Sequence, residues 1–117
     1  MSYSIKNSII RSVDGRVKYR IRSEGGRKHF HVGVWLDGTE QELDDVREVR
    51  YTLHTSFKKP VRSSANRPNK FSITFWTWGM FAIGVEIIKR SGDVEKMEHY
   101  LKYDLPQEAD AYIDVSS

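Results

Sequence analysis

Between positions 16 and 22 the chain alternates. Val17, Tyr19 and Ile21 share one face, and Arg16, Lys18, Arg20 and Arg22 share the other. Phe30, Val32, Val34 and Leu36 follow on one side, with His29, His31 and Trp35 opposite. Val49, Tyr51 and Leu53 form a third set, Phe71, Ile73 and Phe75 a fourth, and Phe81, Ile83, Val85 and Ile87 a fifth. A period of two is that of a strand with one face buried. Asp14-Gly15, Gly25-Gly26, Asp37-Gly38 and Ser91-Gly92-Asp93 separate these runs. Asp-Gly is a hairpin cue because it admits the positive φ angles such turns need. Two stretches also fit helical spacing: Leu43, Val46 and Leu53, and Val94, Met97 and Leu101. Both are read as mainly strand, since short connections between strands favour antiparallel pairing. Residues 61–70 read as a loop, and the polar tail from Pro106 is expected to fray. The pattern predicts an all-β, immunoglobulin-like sandwich of seven to eight antiparallel strands.

Composition narrows the class. With 117 residues, 38% apolar and 30% charged, the chain reads as one soluble domain spanning 1–117. No apolar run approaches the ~18 residues of a membrane span. There is no cysteine, which excludes disulfides and thiolate metal sites. The opening MSYSIKNSIIRSVDGR lacks a basic flank followed by an apolar signal core, so the cytoplasm is expected. A net charge of +3 permits an anionic partner without requiring one.

Four groups of residues carry candidate chemistry. His29 and His31 share a strand face, but a metal site needs a third ligand such as His54 or His99, and no carboxylate completes a known spacing; no metal or cofactor is expected. Arg16, Lys18, Arg20 and Arg22 could contact phosphates. Both signs of charge are abundant and no aromatic falls on that face, so the stripe reads as a solvated surface and nucleic acid is not the expected partner. Ser56 lies two residues from His54, yet it lacks the glycine-flanked elbow of a serine nucleophile, so no catalytic residue is expected. The fourth group is aromatic: Phe57, Trp76, Trp78 and Phe81, with Phe75. Phe75 and Phe81 are in phase with apolar neighbours and read as core. Phe57 and Trp78 sit at strand ends beside Ser56 and Gly79. An aromatic face beside a small polar group suits a flat, neutral ligand with one hydrogen-bond donor and one acceptor.

A resemblance sharpens this reading. The run from Val46 to Arg62 contains Leu53-His54-Thr55-Ser56-Phe57 and Pro60. It is followed by Phe71-Ser72-Ile73-Thr74, then Trp78-Gly79-Met80-Phe81, and closes on His99-Tyr100-Leu101-Lys102-Tyr103. Over about 28–103 this resembles a YEATS domain, and Trp35-Leu36-Asp37-Gly38 with Leu43-Asp44-Asp45-Val46 resembles its prokaryotic branch. The resemblance implies an immunoglobulin-like sandwich whose loops at one end form a pocket for an acyl-lysine, with no catalysis. It implies that His54 orients Ser56 and that Ser56 bonds the acyl-lysine amide. Phe57 and Trp78 would flank the planar acyl group, the Trp78 backbone N–H would donate to its oxygen, and Gly79 would keep the edge open. The implied partner is an acylated lysine on a protein, or a similar flat acyl ligand such as a crotonyl group.

Physical chemistry suits such a ligand. Acylation makes lysine neutral, so it enters an apolar slot without burying an ammonium. Its amide needs a donor and an acceptor, and leaving either unpaired costs about 1–3 kcal/mol. Two features depart from the pattern. Thr77 stands where the family usually has glycine, and is expected to narrow the slot. No aromatic near Gly25-Gly26 supplies a third wall.

Overall fold

The computed structural model describes residues 3–21 and 26–116. Among them, nine strands form two sheets. One contains β1 (Ser4–Ile9), β2 (Val17–Ile21), β3 (Lys28–Asp37), β6 (Ile73–Thr77) and β9 (Tyr112–Asp114). The other contains β4 (Val46–Thr52), β5 (Val61–Ser64), β7 (Ala82–Lys89) and β8 (Val94–Tyr100), in the order β5-β4-β7-β8. β3 organises the first sheet. Its residues 30–34 pair with β6 along one edge, while β1 and β2 share the other. Both run antiparallel to β3, end to end, and residues 10–16 loop out between them through Gly15 at φ +87°.

The alternation works as the pattern predicts in β3, β4 and β7. Val32, Val34 and Leu36 meet Val49, Tyr51, Ile83, Val85 and Ile87 in one core between the sheets. Burying each such side chain contributes about 1.5–3 kcal/mol. Residues 94–100 are a strand, as read.

Four expectations need correction. The strand count is nine among the described residues, not seven or eight, and one pairing is parallel. Glu40–Asp44 is a short helix, α1, and strand begins only at Val46. Its cause is a capping box: Glu42 N–H donates to Thr39 Oγ1 at 3.1 Å and Thr39 N–H donates to Glu42 Oε1 at 2.8 Å, while Leu43 is fully buried. Residues 61–70 are not a plain loop. They hold β5 and a 3₁₀ turn at Arg67–Asn69, followed by Lys70 at φ +60° and Phe71 at φ +56°. Left-handed backbone in a bulky residue needs compensation. Phe71 N–H donates to Asn66 O at 2.9 Å, and the buried Tyr51 hydroxyl donates to Phe71 O at 2.6 Å. Phe71 therefore precedes β6 instead of belonging to it, yet its ring is still core. Finally, the tail does not fray as a whole: β9 pairs parallel to β2, and Val115 N–H donates to Tyr19 O at 2.8 Å. No helix among the described residues is long and apolar enough to cross a membrane.

Candidate functional site

β4 and β6 end, and β3 and β7 begin, at one end of the sandwich. A cleft of about 1100 Å³ opens there. All six residues singled out from the sequence, His54, Ser56, Phe57, Thr77, Trp78 and Gly79, line it.

The first wall follows β4. Leu53 N–H donates to Pro60 O at 2.7 Å and Phe57 N–H donates to His54 O at 3.1 Å, closing a tight turn. Inside it, Ser56 N–H donates to His54 Nδ1 at 3.1 Å, and Ser56 Oγ lies 2.9 Å from the same nitrogen. A nitrogen that accepts from a backbone N–H carries no proton of its own. The Ser56 hydroxyl therefore donates to Nδ1, and its lone pairs remain to accept from a ligand.

The second wall follows β6. Thr77 is buried, and its hydroxyl is engaged within the turn. It donates to Gly79 O at 3.1 Å and accepts from Gly79 N–H at 3.2 Å. Tyr103 Oη donates to the same carbonyl at 3.2 Å, and burial raises the Tyr103 phenol above its ordinary pKa, keeping it a donor. Thr77 thus braces the turn. The Trp78 amide lies past the end of β6 and makes no bond within that turn. A Cβ built on Gly79 would meet nothing within 4 Å, so that position faces open space.

The rings differ in exposure. Phe57 is half-buried, edge-on to Phe75 at 5.6 Å and tilted against Phe81 at 5.5 Å. Trp78 is 54% exposed, and the Arg27 guanidinium lies 4.1 Å over its ring. No direct ring contact joins Phe57 and Trp78. The loop that lacks an aromatic thus brings a flat cation to the wall instead; Gly25, beside it, lies outside the described residues.

Several lining residues were not singled out from the sequence. Arg27 lies outside the motif segments, Lys58, Arg62 and Met80 lie within them without an assigned role, and Phe81, read as core, is half-buried and lines the cleft. Spacing within one strand could not reveal them, because they meet only through the fold.

His29, His31 and His54 all line the cleft, and His99 does not. His31 stacks on Trp76 with ring centres 4.5 Å apart, and its Nδ1 is buried without a partner. Burial first, then Lys18 and Arg20, hold its pKa below the ordinary value. His99 lies away from the cleft, 2.6 Å from Asn7 Oδ1, and burial with Lys6 lowers its pKa likewise. No group of three potential metal-ligating side chains occurs among the described residues.

The basic stripe needs one correction. Arg16 pairs with Asp14 at 2.7 Å, and Arg22 lies outside the described residues. An aromatic does share the face: Arg20 stands 4.1 Å over Trp76, which pairs with His31 two strands away from β2. Single-strand alternation cannot report a neighbouring strand.

Two turns, several aromatic rings and the His54–Ser56 pair surround this cleft at one end of an immunoglobulin-like sandwich. Residues 30–102 match the prokaryotic YEATS domain family model, and the chain belongs to that family. Comparison with curated protein sequences gives no match. Solved structures agree on the fold. The Yaf9 YEATS domain recognizing an H3K122suc peptide is 21% identical with a TM-score of 0.60, covering 86% of this chain and 70% of that one. The yeast AF-9 homolog protein Yaf9 is 21% identical with a TM-score of 0.62, covering 88% and 66%. The Yaf9 YEATS domain bound to H3K27ac is 22% identical with a TM-score of 0.59, covering 92% and 72%.

Proposed function

We propose that the chain is a non-catalytic binding module that holds an acylated lysine in this cleft. The observation that carries the reading is the pairing of two unused polar groups beside aromatic walls. Ser56 Oγ presents its lone pairs because its O–H points to His54 Nδ1 as a hydrogen-bond donor, and the Trp78 amide is free of its own turn. An acyl-lysine amide needs one acceptor for its N–H and one donor for its oxygen. Phe57 and Trp78 flank the acyl chain, and unsaturated planar chains gain most from ring faces. Gly79 leaves room for the lysine stem. Thr77 acts indirectly, by bracing the turn.

A hydrolase reading lacks its third member. Among the described residues no carboxylate lines the cleft, so nothing orients His54 as a base toward Ser56.

Calorimetry with crotonyl-lysine and acetyl-lysine peptides tests the proposal. Binding is expected, tighter for crotonyl, and Ser56→Ala should weaken it about tenfold, in line with one lost buried hydrogen bond. Equal heats for acylated and unmodified peptides would contradict it.

A further inference from the structure

The cleft does more than end in a pocket. Thr74, Phe75, Trp76 and Thr77 are consecutive and point alternately to opposite faces of the sheet, yet all four line it. A cleft that touches both faces of one strand runs along that strand's edge. β6 pairs with β3 on one side, and among the described residues no strand pairs with the other.

Edges of this kind are normally protected by charge, proline or a bulge. β1 carries Lys6, β5 carries Arg62, β8 carries Glu95, Lys96 and Glu98, and β9 carries Asp114. β6, Ile-Thr-Phe-Trp-Thr, carries neither charge nor proline. Charge gathers instead around the cleft: Arg27, beside Trp78, and Lys58 and Arg62, on the far wall, all line it, and no described acid lies within ion-pair reach of them. Elsewhere Arg16, Arg50, Arg67, Lys70, Lys89 and Lys96 have carboxylate partners while Lys18, Arg20 and Arg47 have none among the described residues; what sets the rim apart is that three cations share one cleft that no described acid lines.

We propose that β6 is a docking edge for an extended, acidic polypeptide segment flanking the acylated lysine. The segment adds as a strand to β6, its backbone satisfying the open edge, while its carboxylates meet the Arg27, Lys58 and Arg62 rim. Main-chain bonding gives such a contact its affinity, and the rim sets which sequences are accepted. This rests on the acyl-lysine reading and adds the chemistry of the carrier.

Four peptides with one central crotonyl-lysine test it: acidic flanks, basic flanks, and acidic flanks N-methylated on alternate backbone amides in either of two registers. An unmodified acidic peptide is the control. The acidic peptide should bind about tenfold tighter than the basic one at low salt, given several rim pairs each worth about twofold to fivefold, and salt should shrink the gap. One methylation register should cost about tenfold, the loss of a hydrogen bond or two, and the other little. Lys58→Glu, which alters an exposed side chain with no ring contact, should narrow or reverse the charge preference. Basic flanks binding as well as acidic ones, or indifference to both methylation registers, would overturn the docking edge and leave the acyl reading standing. The unmodified acidic peptide binding as tightly as its acylated form would sink the acyl reading and leave the edge. No binding by any peptide would sink both.

Discussion

At one end of the sandwich α1 closes the space between the sheets. Leu43 plugs the core, the capping box fastens the helix start, and Arg67 joins Glu40 at 2.8 Å and Asp44 at 3.1 Å. At the other end the same strands finish in two turns that stand apart around a cleft. Its cations have no carboxylate partner among the described residues, its tryptophan is largely exposed, and the Ser56 hydroxyl is held in place with lone pairs to spare. At the closed end the cap and the Arg67 ion pairs engage the groups they order; at the open end the Trp78 amide and the Ser56 lone pairs are positioned and left to solvent. A protein tolerates such groups when solvent covers them and a ligand replaces the solvent.

This contrast predicts that stability and binding separate by position. Leu43→Ala should cost most, about 2–5 kcal/mol in chemical denaturation, because it empties a fully buried site. Ligand affinity, measured under conditions where the variant is folded, should be unchanged. Tyr51→Phe should cost about 1–3 kcal/mol by leaving the Phe71 carbonyl without its donor at a left-handed residue. A loss as large as that of Leu43→Ala would show that the 66–71 segment, not α1, governs the closed end. Thr39→Ala should cost about 1 kcal/mol through the cap alone. Trp78→Ala should do the reverse: stability within about 0.5 kcal/mol of the parent, since the ring is exposed, with acyl-lysine binding lost.

The smallest effect concerns pH. His31 and His99 both have pKa values lowered from 6.5, chiefly by burial. The unfolded chain therefore binds more protons than the folded one at mildly acidic pH. Their contribution is fully present above 6.5 and is lost as pH falls through the lowered folded values. Thermal melts between pH 8 and pH 5, roughly the histidine range, should show Tm falling on the acid side. His31→Gln with His99→Gln should flatten that part of the curve.

Much of this was legible in the sequence, for reasons that can be named. β3, β4 and β7 bury their apolar residues largely in alternation, interrupted by an irregularity between Val46 and Glu48 and by the buried pair Ile87 and Ile88, so their inner faces are readable. Five of the six cleft residues fall in two short segments just past strand ends, where packing explains them poorly, and the sixth, Thr77, is the buried last residue of β6. The unread parts are non-local or short. β9 is three residues long and exists through pairing with β2, 95 positions away between Lys18 and Ile113. β5 has no apolar alternation to read. Lys70 and Phe71 take left-handed backbone without the glycine that usually signals it. α1 did leave a sign: Thr39-Glu40-Gln41-Glu42 has the spacing of a capping box, and strand alternation around it masked the signal. The cationic rim draws on three separate segments, and only the fold assembles it.

The most direct measurement is amide NMR of the labelled protein during titration with a crotonyl-lysine peptide. The account predicts a large, saturable shift of the Trp78 amide as it gains an acceptor, smaller shifts at Ser56, Phe57 and Gly79, and none at Leu43 or Val46. Saturable binding that leaves the Trp78 amide unmoved, or shifts centred on α1, would contradict it.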